Sequence, residues 1–195
     1  MNSVRNEKRL NKFSARDICL IGVSVAATAA LSQVSIPLPN GVPITLQTFA
    51  VALSGAVLGA KKGFLSALIY ILLGAVGVPV YAGFSGGFGA LFGPAGGFIL
   101  SFPALALLAG IGAAGNSKAR LWIWLAAGGI ANYLCGAVYF ILVSGAGLKT
   151  ALLACVLPFM PLDIPKFIAA GLLGKKIRRR LNNDKIREAG YCNGA

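Results

Sequence analysis

LWIWLAAGGIANYLCGAVYFILV, residues 121–143, runs for 23 residues without a charged side chain. As an α-helix it extends about 35 Å, enough to cross the roughly 30 Å hydrocarbon core of a bilayer. One such helix would suit an anchored soluble domain. Outward from it, however, lie further apolar segments: residues 17–36, 44–60, 64–80 and 96–114 before it, and 150–174 after it. Each has roughly the 17–25 residues that a membrane helix needs. The 195-residue chain is 57% hydrophobic and only 12% charged, whereas a soluble domain is about half apolar and a quarter charged. A soluble fold of this size would have too little polar surface to cover such a core. The expectation is an all-α integral membrane bundle of six transmembrane helices, residues 17–174, between basic tails at 1–16 and 175–195.

The charges orient the bundle. The chain has 18 basic and five acidic residues, a net charge of +13. Arg5, Lys8, Arg9, Lys12 and Arg16 precede the first segment. Lys61 and Lys62 lie between the second and third, Lys118 and Arg120 between the fourth and fifth, and seven more between Lys175 and Arg187. With six spans these 16 fall on one face, leaving Lys149 opposite and Lys166 inside the sixth segment. By the positive-inside rule that face, with both termini, is cytoplasmic, and the chain is a multi-pass cell-membrane protein in contact with anionic lipid. One span more or fewer would scatter the charges over both faces. Without aromatic interleaving or a binding motif, the basic tails do not read as a nucleic-acid surface.

The four cysteines, Cys19, Cys135, Cys155 and Cys192, form no CxxC pair, and the chain has no histidine. That argues against a zinc site or a disulfide framework, so no metal or cofactor is expected. The basic N-terminal stretch is long and no A-x-A site follows the first apolar run, so no cleavable signal peptide is expected.

Two connections stand out on the outer face. Residues 37–43, PLPNGVP, read as a stiff turn. Residues 81–97, YAGFSGGFGALFGPAGG, combine glycines with Tyr81, Phe84, Phe88 and Phe92. Such a loop lets backbone approach a ligand and aromatic faces cover it, or it is a flexible connection with interfacial aromatics. Small residues recur at spacing four: Gly22, Ala26 and Ala30 on the first segment, Gly55 and Gly59 on the second. These permit close helix contact, within the bundle or with a partner.

Only one acid lies inside a span, Asp17 standing at the entrance of the first. Asp163, in PFMPLDIPK (158–166), is three residues from Lys166, so the two share a helical face. Counted from Lys175 they lie roughly 18 and 14 Å into the membrane. A charge at that depth costs at least about 2.5–3.5 kcal/mol, and such residues tend to mark a ligand or ion path. Pro158, Pro161 and Pro165 remove backbone donors and free carbonyls to face a cavity. Gln47 and Asn132 are further polar groups on spans, suited to a ligand or to bonds between helices.

Enzyme readings are poorer. Gly83-Phe84-Ser85-Gly86 matches the GxSG serine motif of an intramembrane protease, but that chemistry needs a base and there is no histidine; a Ser85–Lys166 dyad is the alternative. Residues 169–176 approach a phosphate loop but carry Ala169 for its first glycine and Lys176 for its Ser/Thr. Energy for transport would then come from a partner or a gradient.

Four ordered blocks carry a family resemblance: IPLPNGVPITLQTFAV (36–51), LGAKKG (58–63), GVPVYAGFSGGFGALFGPAGGF (77–98) and PFMPLDIPK (158–166). Together they resemble the BioY family, the biotin-specific substrate-binding (S) components of energy-coupling-factor transporters. Ala95 and Leu162 replace the family's usual Thr and Gly. The resemblance implies six helices, an outward pocket for biotin closed by loops, a transmembrane coupling subunit, and two cytoplasmic ATPases. It implies that Ala26 and Ala30 face the coupling subunit, shifting that stripe from internal packing to an interface. It implies a biotin site centred on Asp163 and Lys166, which suit the ureido ring. The apolar chain would lie along Tyr81, Phe84 or Phe92. The carboxylate would meet backbone amides of Gly86-Gly87 or Gly96-Gly97, with Gln47 and Asn132 as additional contacts. Another vitamin, an intramembrane protease and a solitary ion-coupled carrier are the competing readings.

Overall fold

The computed structural model describes residues 14–115 and 117–192, with side chains up to 183. Most of the N-terminal basic cluster, the side chains of Lys185 and Arg187, and that of Cys192 lie outside the described residues.

The chain is mostly helical. Helix α1 (Ala15–Ser32) leads into a two-stranded hairpin, β1 (Ser35–Ile36) and β2 (Ile44–Thr45), then α2 (Gln47–Leu58) and α3 (Ala60–Ala75). A loop with a short helix α4 (Phe88–Phe92) follows, then α5 (Gly96–Leu100), α6 (Phe102–Ala113), α7 (Lys118–Ser144), α8 (Leu148–Cys155) and α9 (Met160–Cys192). Helix α6 is central, packed against α2, α3 and α7. Lipid tails are as apolar as leucine, so such contacts depend on close backbone approach rather than on hydrophobicity. A Cβ on Gly55 would stand 2.1 Å from the Ala106 carbonyl oxygen, and one on Gly110 would stand 2.3 Å from the Ala60 nitrogen. Ala52, Ala56, Ala106 and Ala109 are fully buried in the same seam. The small residues of α2 therefore serve internal packing. Those of α1 do not: Ile21, Val25, Thr28 and Ser32 face inward, while Gly22, Ala26 and Ala30 are exposed.

The six expected segments are realised unevenly. Among the described residues, α1 and α7 are each long and apolar enough to cross a membrane, and α8 with α9, bent by 50° at the break between them, make a third if counted as one span. Helices α2 and α6 have 12 residues each and α3 has 16, shorter than the expected segments. The fourth segment is interrupted at Ser101, whose hydroxyl donates to the Phe98 carbonyl at 2.9 Å. The third stops at Ala75, because Gly77 adopts φ +102° and Pro79 follows. The sixth breaks around Pro158, and α9 continues past residue 174 without interruption.

The proline-rich connection 37–43 and the glycine-rich connection 81–97 meet each other. Residues 37–43 form the hairpin loop, with Ser35 paired to Thr45 and Ile36 to Ile44. The Asn40 side-chain nitrogen donates to the Ala154 carbonyl at 2.6 Å, tying the loop to α8. Gly41 lies against Pro94, so the hairpin loop touches the long glycine-rich loop.

Candidate functional site

Helix α9 starts at Met160, which places Asp163 in its first turn. The bend before it exposes the helix end to the interior, and the positive end of the helix dipole favours a carboxylate there. Pro161 costs nothing at this position, since first-turn N–H groups have no helical partner.

Asp163 is only 3% exposed. Its Oδ1 accepts from Lys166 Nζ at 2.8 Å and from Thr48 Oγ1 at 3.2 Å. Its Oδ2 accepts from the Tyr133 hydroxyl at 2.6 Å. The Lys166 ammonium also donates to the Thr45 carbonyl at 2.7 Å. Four elements thus converge on one ion pair: β2, α2, α7 and α9. A carboxylate offers about four acceptor positions and an ammonium three protons. After these bonds each retains one, among the described residues.

The pair opens into a cavity of about 530 Å³, within the range of small-ligand sites. Asp163, Lys166, Gln47, Asn132, Tyr81 and Gly86 all line it. Its apolar walls include Phe98, Ile99, Phe102 and Phe159. Phe98 and Phe159 stack at 6.3 Å with an interplanar angle of 18°. Asn132 spends its amide nitrogen on Ser101 Oγ at 2.7 Å and the Phe98 carbonyl at 3.1 Å, leaving its oxygen as an acceptor. Gln47 donates to the Tyr70 hydroxyl at 2.6 Å and accepts from Thr45 Oγ1 at 3.2 Å. Tyr81 is buried over Gly74, and its hydroxyl donates to the Ile71 carbonyl at 2.7 Å. Burial raises its phenol well above the usual value, with nearby Tyr70 adding to the shift, so the hydroxyl remains a donor.

The other expected contacts fall elsewhere. Phe84 and Phe92 are 72% and 70% exposed and lie outside the cavity lining. Gly87 is also outside, its N–H bonded to the Gly74 carbonyl at 2.6 Å. Gly96 is a packing residue: a Cβ there would stand 1.8 Å from the Leu91 carbonyl oxygen, and its N–H bonds to Gly93. Thr45, Thr48 and Tyr133 were not among the expected contacts. A tyrosine within an apolar span signals a buried hydroxyl seeking a partner, a signal that Tyr133 shares with Tyr70 and Tyr139. The serine and loop motifs take other roles. Ser85 Oγ donates to the Ala82 carbonyl at 2.8 Å, and Lys166 is engaged by Asp163 and Thr45. Residues 169–176 lie within continuous helix α9.

Comparison with known proteins adds an independent line. A family model described as the BioY family matches residues 5–183. A protein described as a probable biotin transporter BioY, from Pyrococcus horikoshii, is 40% identical over 166 residues, spanning 85% of this chain and 98% of its own. The biotin transporter BioY of Rhodobacter capsulatus is 39% identical over 178 residues, spanning 83% and 93%. Among solved structures, the S-component for biotin from an ECF-type ABC transporter matches with a TM-score of 0.76 at 28% identity, covering 84% of this chain and 91% of that one.

Proposed function

This chain belongs to the BioY family, and from that membership we propose that it is a membrane-embedded subunit that captures biotin for uptake. The observation carrying the site is the Asp163–Lys166 pair at the base of an aromatic-walled cavity. Biotin's ureido ring has two N–H donors and one carbonyl. The carbonyl takes the remaining Lys166 proton. One N–H meets the remaining acceptor position on Asp163, and the other meets the Asn132 oxygen. The bonds to Lys166 and Asp163 are charge-assisted and stronger than the neutral one to Asn132. The apolar chain lies between Tyr81 and the Phe98–Phe159 stack. The carboxylate reaches the mouth at Gly41, Gly86 and Gly89, where backbone approaches closely.

In this reading the helices form six membrane crossings with both termini in the cytoplasm, α2, α3 and α6 being short ones. The membrane is the cell membrane. The exposed Gly22–Ala26–Ala30 face of α1 receives a transmembrane coupling subunit, and two ATPases supply the energy. The functional core is residues 17–174, and α9 carries the basic tail onward.

Isothermal titration of the purified protein with biotin tests the reading. Saturable binding is expected, reduced at least tenfold in folded Asp163→Asn and Lys166→Ala variants (a lost charged hydrogen bond contributes about 1.5–3 kcal/mol). Wild-type affinity in both variants sinks the site assignment. A fluorophosphonate probe that labels Ser85 would revive the protease reading.

A further inference from the structure

Gln33, at the C-terminal cap of α1, belongs to none of the groups that touch the proposed ligand, yet both ends of its side chain are engaged. Its Oε1 accepts from the Phe84 N–H at 2.8 Å. Its Nε2, with two protons, lies 3.1 Å from the Tyr81 carbonyl, 2.8 Å from Ser32 Oγ and 3.1 Å from the Ala29 carbonyl of its own helix. The contacts to Phe84 and Tyr81 fall on opposite sides of the turn at residues 81–85, which Tyr81 N–H closes by bonding to the Ser85 carbonyl. Tyr81, Ala82, Ser85 and Gly86 of this segment form one wall of the cavity.

That turn does not hold itself by preference. Phe84 has φ +55°, next to Gly83 at φ +66°. A residue with a Cβ is disfavoured there, and such an outlier persists only where its surroundings impose it. Within the turn Tyr81 N–H bonds the Ser85 carbonyl and Ser85 Oγ the Ala82 carbonyl, and from outside it the Gln33 oxygen holds the Phe84 N–H. Ser32, fully buried, donates to the Val80 carbonyl at 2.6 Å. The same carbonyl accepts from Tyr70, which is bonded to Gln47. A polar chain therefore runs from the end of α1 to the cavity lining.

We propose that Gln33 is a positioning residue for ligand capture, locking the 81–86 wall of the cavity onto the end of α1. It acts through the wall and not on the ligand. It also links the wall to the helix that carries Gly22, Ala26 and Ala30. The inference rests in part on the biotin reading, so its test has one readout without biotin and one with it.

In the ligand-free protein, hydrogen–deuterium exchange of a peptide covering residues 81–86 is expected to quicken about tenfold in Gln33→Ala, the scale of one lost hydrogen bond. Gln33→Glu keeps an oxygen for the Phe84 N–H but loses the donor to Tyr81, so it is expected to exchange at an intermediate rate. With biotin, stopped-flow release from Gln33→Ala is expected to quicken about tenfold while the association rate changes less than twofold. Unchanged exchange at 81–86 in both variants overturns the proposal. So does faster exchange with unchanged release, which would make Gln33 merely structural. If the wild type binds no biotin, the functional reading above fails, and the Gln33 lock stands or falls on the exchange data alone.

Discussion

The Tyr133 hydroxyl of α7 and the Asp163 carboxylate of α9 are joined at 2.6 Å, with Tyr133 lining the same cavity as the acid. This bond orients the carboxylate so that its other oxygen faces Lys166 and Thr48. Removing the hydroxyl leaves Oδ2 short of a donor on a buried carboxylate, where an unmet charged acceptor is costly. Tyr133→Phe is therefore expected to weaken biotin binding about tenfold, measured by titration calorimetry, with the cavity otherwise intact.

The ion pair predicts a stability pattern distinct from its binding role. Lys166→Met alone strands a buried carboxylate and should destabilise the protein by about 3–5 kcal/mol. Adding Asp163→Asn removes the stranded charge. Thermal unfolding in detergent should then show most of the loss recovered, while biotin binding stays weakened at least tenfold.

Tyr81 depends on a missing side chain. A Cβ on Gly74 would stand 2.0 Å from the Tyr81 ring. Gly74→Ala must displace the ring and strain its bond to Ile71, a loss of about 1–3 kcal/mol by overpacking. Because Tyr81 lines the cavity, the same variant should also lose biotin affinity, whereas Gly147→Ala, with open space at its Cβ position, should change neither.

Asn40 restrains the hairpin loop through the Ala154 carbonyl. Asn40→Ala removes that bond and the one its Oδ1 accepts from the Val42 N–H at 3.1 Å, each worth about 1 kcal/mol. Both association and release of biotin should quicken by about fivefold, with little change in unfolding temperature. Stopped-flow kinetics distinguish this from the Gln33 variants, where release alone responds.

What could be read from the chain depended on contrast with its surroundings. Asp163, Lys166, Gln47 and Asn132 stand out because each is polar within apolar sequence, and all four line the cavity. Thr45 and Thr48 did not stand out, since threonine hydroxyls commonly bond their own helix carbonyls. Of the aromatic residues expected along the ligand, Tyr81 lines the cavity and Phe84 and Phe92 do not. Phe84 and Phe92 are conspicuous in a glycine-rich loop, yet Phe98, Phe102 and Phe159 line the cavity. In a helix that is apolar all round, no periodicity tells the inward face from the lipid face. Segment lengths were similarly incomplete. Apolar extent located the helices, but the break at Ser101 coincides with a side-chain bond that composition does not encode, whereas the bend around Pro158 falls at a proline.

The continuity of α9 makes it a lever. Asp163 sits in its first turn, and the same helix reaches Asn183 about 30 Å further along. A tilt of roughly 10° about the ion pair would move the far end by about 5 Å over that length. A partner gripping the basic end of this rod would thus hold a mechanical handle on the acid at the other, with no messenger but the helix itself.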